Sequence, residues 1–252
     1  MPIRKSDSLV LNKRSFRETS VIVNFYTRDI GKVSGILKGI RSEPSKFASL
    51  VEPFSLNEII YYHKPGSSLN LVSQCDVRDN FDPIRQSIEK VGVASFMMEL
   101  VDAVMQPEDK NEPVFDLALE CLNGLKGSYS PDKILMIFKI KMLALSGFKP
   151  HLDSCISCGK SIQGQSRFSL GLGGLLCARC QAQDALSRQI FRGTIATMLY
   201  IHRSDFKAAL NLGMNPKIKK ELGVILNSFL DFHLEKRLKS QKVMDRMALT
   251  TV

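Results

Sequence analysis

From Leu9 to about Arg78 the apolar positions recur with the short period of strands, and from Asp82 onward they take the three-to-four spacing of helices. The first stretch predicts five strands, over Leu9–Leu11, Val21–Tyr26, Val33–Leu37, Phe54–Tyr62 and Leu69–Ser73, all rich in β-branched and aromatic residues. Between the second and third, Thr27–Lys32 contains Asp29 and Gly31 and suits a hairpin turn, while Arg41–Leu50 makes a longer link before the fourth.

Asp82-Pro83 then predicts an N-cap with a proline in the first turn, followed by an apolar stripe of Ile84, Ile88, Val91, Phe96, Leu100 and Val104. A second helix is expected over Glu112–Leu125 and a third from Ser130-Pro131 to Gly147, the three forming a small bundle. Helical spacing returns over Ser187–His202 and Asp205–Leu212. It returns again from Asn215-Pro216 through Ile218, Leu222, Ile225, Phe229 and Phe232 to a basic end at Lys236-Arg237-Leu238-Lys239. The predicted class is α+β and multidomain. An OB-fold β-barrel spans residues 1–82, a helical bundle spans 83–150 and 181–252, and a cysteine-rich insert occupies 151–180.

That insert carries the clearest chemistry in the chain. Cys155-Ile-Ser-Cys158 and Cys177-Ala-Arg-Cys180 are two Cys-x2-Cys pairs separated by 18 residues, within the window of four-cysteine zinc sites. Gly159 follows the first pair and gives the turn the backbone freedom it needs, and the apolar residues and glycines from Phe168 to Leu176 predict a hairpin that folds one pair onto the other. Four thiolates would fill a tetrahedral shell and leave no position for water, so one structural zinc is expected, held by Cys155, Cys158, Cys177 and Cys180, and no catalytic metal. Unmetallated thiols or a redox pair are the competing reading. Cys75 and Cys121 have no partner at metal spacing and read as core residues, and His151, near Cys155, adds nothing to a set already complete.

Charge narrows the partners. The 35 Lys and Arg outnumber 25 Asp and Glu, giving a formal charge of +10, which favours polyanions. The excess is uneven: residues 1–50 hold 10 basic and 4 acidic groups, and residues 185–252 hold 12 and 5. With no run of 18 apolar residues and no apolar segment after the basic start, a cytoplasmic protein away from membranes is expected. There is no GxxxxGK[ST] loop, GxSxG, HExxH or calcium loop, so an enzyme is not expected.

The order of several short motifs is similar to the RecO family of bacterial recombination mediators. They are Phe25-Tyr26-Thr27-Arg28-Asp29-x-Gly31-Lys32, Lys38-Gly39-Ile40-Arg41 with Ser45, Glu52-Pro53-Phe54, Gly147-Phe148-x-Pro150-x-Leu152 and Phe232-His233-Leu234-x5-Ser240. The resemblance implies binding of single- and double-stranded DNA, annealing of complementary strands, contact with the acidic C-terminal tail of single-stranded DNA-binding protein (SSB), and action with RecR to load RecA. It also makes Lys38 and Arg41 the first expected phosphate contacts, with Arg28, Lys32 and Lys46 next and Lys13, Arg14 and Arg17 in support. Phe16, Phe25, Tyr26 and Phe47 read either as a base-stacking face or as core.

Two other classes compete. A zinc-ribbon transcription or translation factor with an OB-fold would leave the flanking helices unexplained. A nuclease would need clustered carboxylates, for which Asp76, Asp79 and Asp82 are the nearest approach.

Overall fold

The computed structural model describes residues 2–40, 51–64, 66 and 68–250, the side chains of 248–250 excepted. Its first 79 residues give β1 (Ile3–Phe16), β2 (Ser20–Thr27), β3 (Gly31–Leu37), β4 (Leu56–Tyr62) and β5 (Asn70–Asp79). These close into a barrel in the order β1-β2-β3-β5-β4. All pairings are antiparallel except β3 with β5, which run parallel at Gly35–Asn70 and Ile36–Leu71. This is the OB-fold arrangement expected from the five strands.

Strict alternation of buried and more open positions along β3 and β4 sends Val33, Leu37, Ile59 and Tyr61 inward to meet Val10, Val23 and Phe25. β1 and β2 behave differently. Leu9, Val10 and Leu11 are all buried, as are Phe25 and Tyr26, because a helix covers the outer face of these two strands. The consecutive apolar residues of Leu9–Leu11 and Val21–Val23 therefore mark strands buried on both sides.

The covering helix is α2 (Ile88–Val104), preceded by the single turn α1 (Asp82–Arg85) and followed by α3 (Glu112–Lys126). The continuous helix expected from Asp82 to Val104 is broken at Gln86-Ser87, where the Ser87 hydroxyl accepts from the Lys90 amide at 3.4 Å and starts α2 afresh. Asp82 is not the cap. Phe81 precedes the helix, and the Asp82 carboxylate accepts from the Asn80 side chain at 2.7 Å.

The chain divides into two compact units, residues 1–131 with 238–252, and residues 132–237. The helices are shared between these two units. α1, α2 and α3 go with the barrel, and so does a final helix that sequence patterning did not reveal, α8 (Lys239–Thr250). α8 packs on α2, with Met244 against Gly92. Its exposed amides are capped from outside: the Glu99 carboxylate accepts from the Lys239 and Ser240 amides at 2.9 and 2.8 Å and from the Ser240 hydroxyl at 2.5 Å.

Burial alone would raise the Glu99 pKa, but these donors and the Lys239 charge outweigh it and hold it below the usual 4.5. The folded value is depressed, so this contribution is complete above about pH 4.5 and is lost as pH falls through the lowered value. Glu99→Gln is expected to loosen α8 by about 1 kcal/mol at pH 7 and by nothing in strong acid. Hydrogen exchange of the α8 amides measures this; equal protection in both proteins at pH 7 would contradict it.

The second unit contains α4 (Pro131–Leu145), α5 (Arg192–Arg203), α6 (Phe206–Asn211) and α7 (Pro216–Leu234). A small antiparallel sheet lies between α4 and α5 in sequence, made of β6 (Ser166–Ser169), β7 (Gly174–Cys177) and β8 (Arg188–Ile190) in the order β7-β6-β8. β8 and its approach replace the first turns of the helix expected from Ser187. Lys139 on α4 is buried with its ammonium donating to Asn227 on α7 at 2.7 Å, and Phe168 of β6 meets Phe229 of α7 with ring centroids 5.8 Å apart.

Candidate metal centre and nucleic-acid surface

The β6–β7 hairpin pairs Ser166 with Cys177 and Ser169 with Gly174, bringing the second cysteine pair back to the first as its residue pattern implied. Each pair sits on a tight turn: the Gly159 amide donates to the Cys155 carbonyl at 2.8 Å, and the Cys180 amide to that of Cys177 at 3.0 Å. Gly159 has φ +71, a conformation that a side chain would strain. The two turns are tied by backbone bonds from His151 to Gly173 and from Leu175 to His151, both at 2.9 Å. A Cβ on Gly174 would lie 2.7 Å from the His151 carbonyl oxygen, so only glycine permits that approach.

The four Sγ atoms of Cys155, Cys158, Cys177 and Cys180 lie within 4.8 Å of one another, Cys158 and Cys177 being 3.9 Å apart. Sulfurs at the corners of a zinc tetrahedron, with Zn–S about 2.3 Å, stand about 3.8 Å apart. Cys155 is buried and its sulfur accepts from the Cys177 amide at 3.4 Å. Burial raises the Cys155 pKa, yet donation from the amides of Cys177, Cys158 and Ser157 prevails and brings it down to about 6. Cys180 moves the other way. The Ser157 hydroxyl favours its thiolate, but burial and the three neighbouring sulfurs push it up to about 11. Four sulfurs this close cannot all be anionic without a cation among them, and the donor set fits a thiophilic metal ion. His151 stays outside the set, its Nε2 2.7 Å from the Ser154 hydroxyl.

The basic residues expected to meet phosphate fall at opposite ends of β2. Register places Arg14 opposite Ile22 and Ser15 opposite Val21, and Val21 in turn opposite Leu37. Arg14, Arg17 and Lys38 therefore share the end of the barrel formed by the β1–β2 turn and the close of β3. All three are exposed and make no ion pair among the described residues. Arg28 and Lys32 lie at the other end and are engaged. Arg28 stands 3.2 Å from Glu112 and 2.7 Å from Asp116, over the Phe115 ring, and Lys32 donates to the Asp102 carbonyl at 2.7 Å. Lys13 pairs with Glu52 at 2.6 Å. Arg41, Lys46 and Phe47 lie outside the described residues.

Of the candidate stacking aromatics, Phe25 and Tyr26 are fully buried and offer no face to a base. Phe16, half-buried beside Arg17 with the guanidinium 5.3 Å from its ring, is the one described candidate at the barrel surface. Asp76, Asp79 and Asp82 are taken up locally by Gln74, by Lys126 with the Phe81 amide, and by Asn80. Among the described residues, the four cysteines are the one group of His, Cys, Asp and Glu placed to share an ion.

Comparison with known proteins agrees with this layout. The family model for the N-terminal part of recombination protein O matches residues 1–81, and that for its C-terminal part matches residues 85–242. The chain belongs to the RecO family. The DNA repair protein RecO of Pelotomaculum thermopropionicum is 30% identical over 246 residues, covering 98% of this chain and 95% of its own. That of Alkaliphilus metalliredigens is 30% identical over 233 residues, 92% and 94% of the two chains, and that of Moorella thermoacetica is 28% identical over 239. RecO proteins are DNA-repair and recombination mediators that bind DNA and catalyse no reaction themselves, and that general role comes with membership. Among the described residues no helix is long and apolar enough to cross a membrane.

Proposed function

We propose that this chain binds single- and double-stranded DNA, anneals complementary strands and, with RecR, promotes RecA loading on DNA coated by SSB, acting in the bacterial cytoplasm at the nucleoid. The observation that carries the DNA-binding reading is the convergence at one end of a closed barrel of Arg14, Arg17 and Lys38, which make no ion pair among the described residues. Arg41 and Lys46 follow Lys38 closely in sequence and are proposed as further phosphate contacts. Cations on such a rim track phosphates whatever the bases, which is what annealing of arbitrary complements requires. Arg28, Lys32 and Lys13 would have to exchange their carboxylate and carbonyl partners to join in, so they are assigned minor roles.

Zinc is the metal we assign to the four cysteines. It would supply a closed thiolate shell that joins the two turns and leaves no position for a reacting group. For the SSB tail, a narrow apolar recess lined by Ile140, Leu143, Met198 and Leu226 has Lys149 and His202 beside it. Apolar walls with the Lys149 ammonium at the mouth suit an acidic peptide that ends in an apolar residue.

The DNA surface is tested by salt dependence. For single strands the logarithm of affinity falls by about 0.7 per neutralised phosphate for each decade of salt. Replacing Arg14, Arg17 and Lys38 together by Ala is expected to flatten that slope by roughly two units and to weaken binding equally for unrelated sequences. An unchanged slope would remove this end of the barrel from the DNA site.

A further inference from the structure

One face of α5 presents Arg192, Ile195, Ala196, Leu199 and His202, spaced three or four apart along most of the helix. Two openings lie along that face and share Leu152 and Leu199. The first is the pocket beside Lys149 and His202. The second, of about 230 Å³, is walled by Ser161, Ile162, Gly164, Ser166 and Leu175, with Arg192 at its far end. Together they make one groove. From Arg192 to His202 it runs about 15 Å at the helical rise, the length of about five residues of extended peptide.

The two lobes differ in what builds them. Apart from α5 and residues 149–152, the first is lined by α4 and by Leu226 of α7, helices that pack by apolar burial. The second lobe, apart from α5, is made by residues 152–175. That segment begins just before Cys155, includes the loop after Cys158 and ends just before Cys177. Its Ser161–Gly164 loop has no hydrogen bond to α5 among the described residues and is held between β6 and the first cysteine turn, where the Cys155 amide donates to the Lys160 carbonyl at 3.0 Å. The lining is basic at both ends. Lys149 and Arg192 make no ion pair among the described residues, and the groove's carboxylate, Asp153, is spent on Arg203 at 2.7 Å. Burial, and then Lys149, Lys141 and Arg203, depress the His202 pKa against the pull of Asp153, which locates a positive field at that mouth.

We propose that the four-cysteine segment builds the second half of a groove for an extended acidic peptide, so that metal and peptide each raise the other's affinity. This rests on the SSB-tail reading above and extends it. The carboxylates would lie between Lys149 and Arg192, with the apolar end in the first lobe and the metal holding the Ser161–Gly164 wall in place. Binding linkage is reciprocal, so the factor by which metal strengthens peptide binding is the factor by which peptide strengthens metal binding.

The experiment measures binding of a fluorescent peptide of the last nine residues of cognate SSB to the full-length zinc-loaded protein, to the chelated protein, and to two variants that keep one zinc, Arg192→Ala and Ile162→Glu. We expect tight binding to the zinc-loaded protein and a loss of about tenfold or more in each of the other three. A matching rise in apparent zinc affinity is expected when peptide is present. Equal binding with and without metal and by both variants, with loss confined to Lys149→Ala, would overturn the linkage and leave the tail reading standing. No binding by the zinc-loaded protein would overturn both.

Discussion

Cys155→Ser protein is expected to purify without zinc and to lose the folded segment from Leu152 to Ile190, while the barrel unit keeps its own melting transition. Cys155 is the buried member of the set and accepts the Cys177 amide at 3.4 Å, so it joins the two turns besides offering a ligand atom. A serine oxygen is a poor ligand for a thiophilic ion and leaves three crowded thiolates uncompensated. Structural zinc can supply about 10–16 kcal/mol of apparent binding free energy in small domains, more than a three-stranded sheet of strands three or four residues long can replace by packing. The damage should stay local because the four cysteines belong to one compact unit, residues 132–237, and the barrel to the other. Cys75→Ala is the control: Cys75 is buried in the barrel core, its thiol pushed up to about 12 first by burial and then by Asp76. That variant should be slightly destabilised with its zinc content unchanged. Metal analysis and calorimetry of the two variants decide the matter. A Cys155→Ser protein that keeps its metal and its full melting profile would contradict the structural role.

The sequence makes the metal site legible because four ligands in two pairs define their geometry locally, and the hairpin joining them is written in its glycines. The barrel is legible where one strand face is buried, as in β3 and β4. It is less so at the ends of β1 and β5, where paired but solvent-facing residues such as Arg4, Lys5, Gln74 and Asp76 carry no apolar signal. α8 escaped for a similar reason: Lys239–Arg246 is mostly polar, and the helix depends on a carboxylate from Glu99, far away in sequence. Nor could spacing show that Arg28 would meet Asp116 while Arg14 makes no ion pair among the described residues, since that depends on a helix being laid against the barrel. The groove along α5 draws its lining from residues 140 to 226 and has no linear signature at all.

The mediator role makes the other large prediction. Annealing of complementary strands coated with SSB requires access to DNA already bound by another protein, and an acidic tail held on the chain's helical part would provide a route that bare DNA does not need. On the proposed reading the +7 balance of residues 185–252 would attract such a tail, but attraction alone would hold any polyanion, and the apolar recess lined by α4, α5 and Leu226 would supply the selectivity. The most direct measurement is the annealing rate on coated DNA with intact SSB and with SSB lacking its tail, each compared with bare strands. We expect bare strands to anneal in every case, strands coated with intact SSB to anneal readily, and strands coated with tail-less SSB to anneal at least tenfold more slowly, the loss expected when binding weakens by about 1.4 kcal/mol or more. Equal rates on both coated substrates would mean that the protein binds DNA without mediating exchange through the tail.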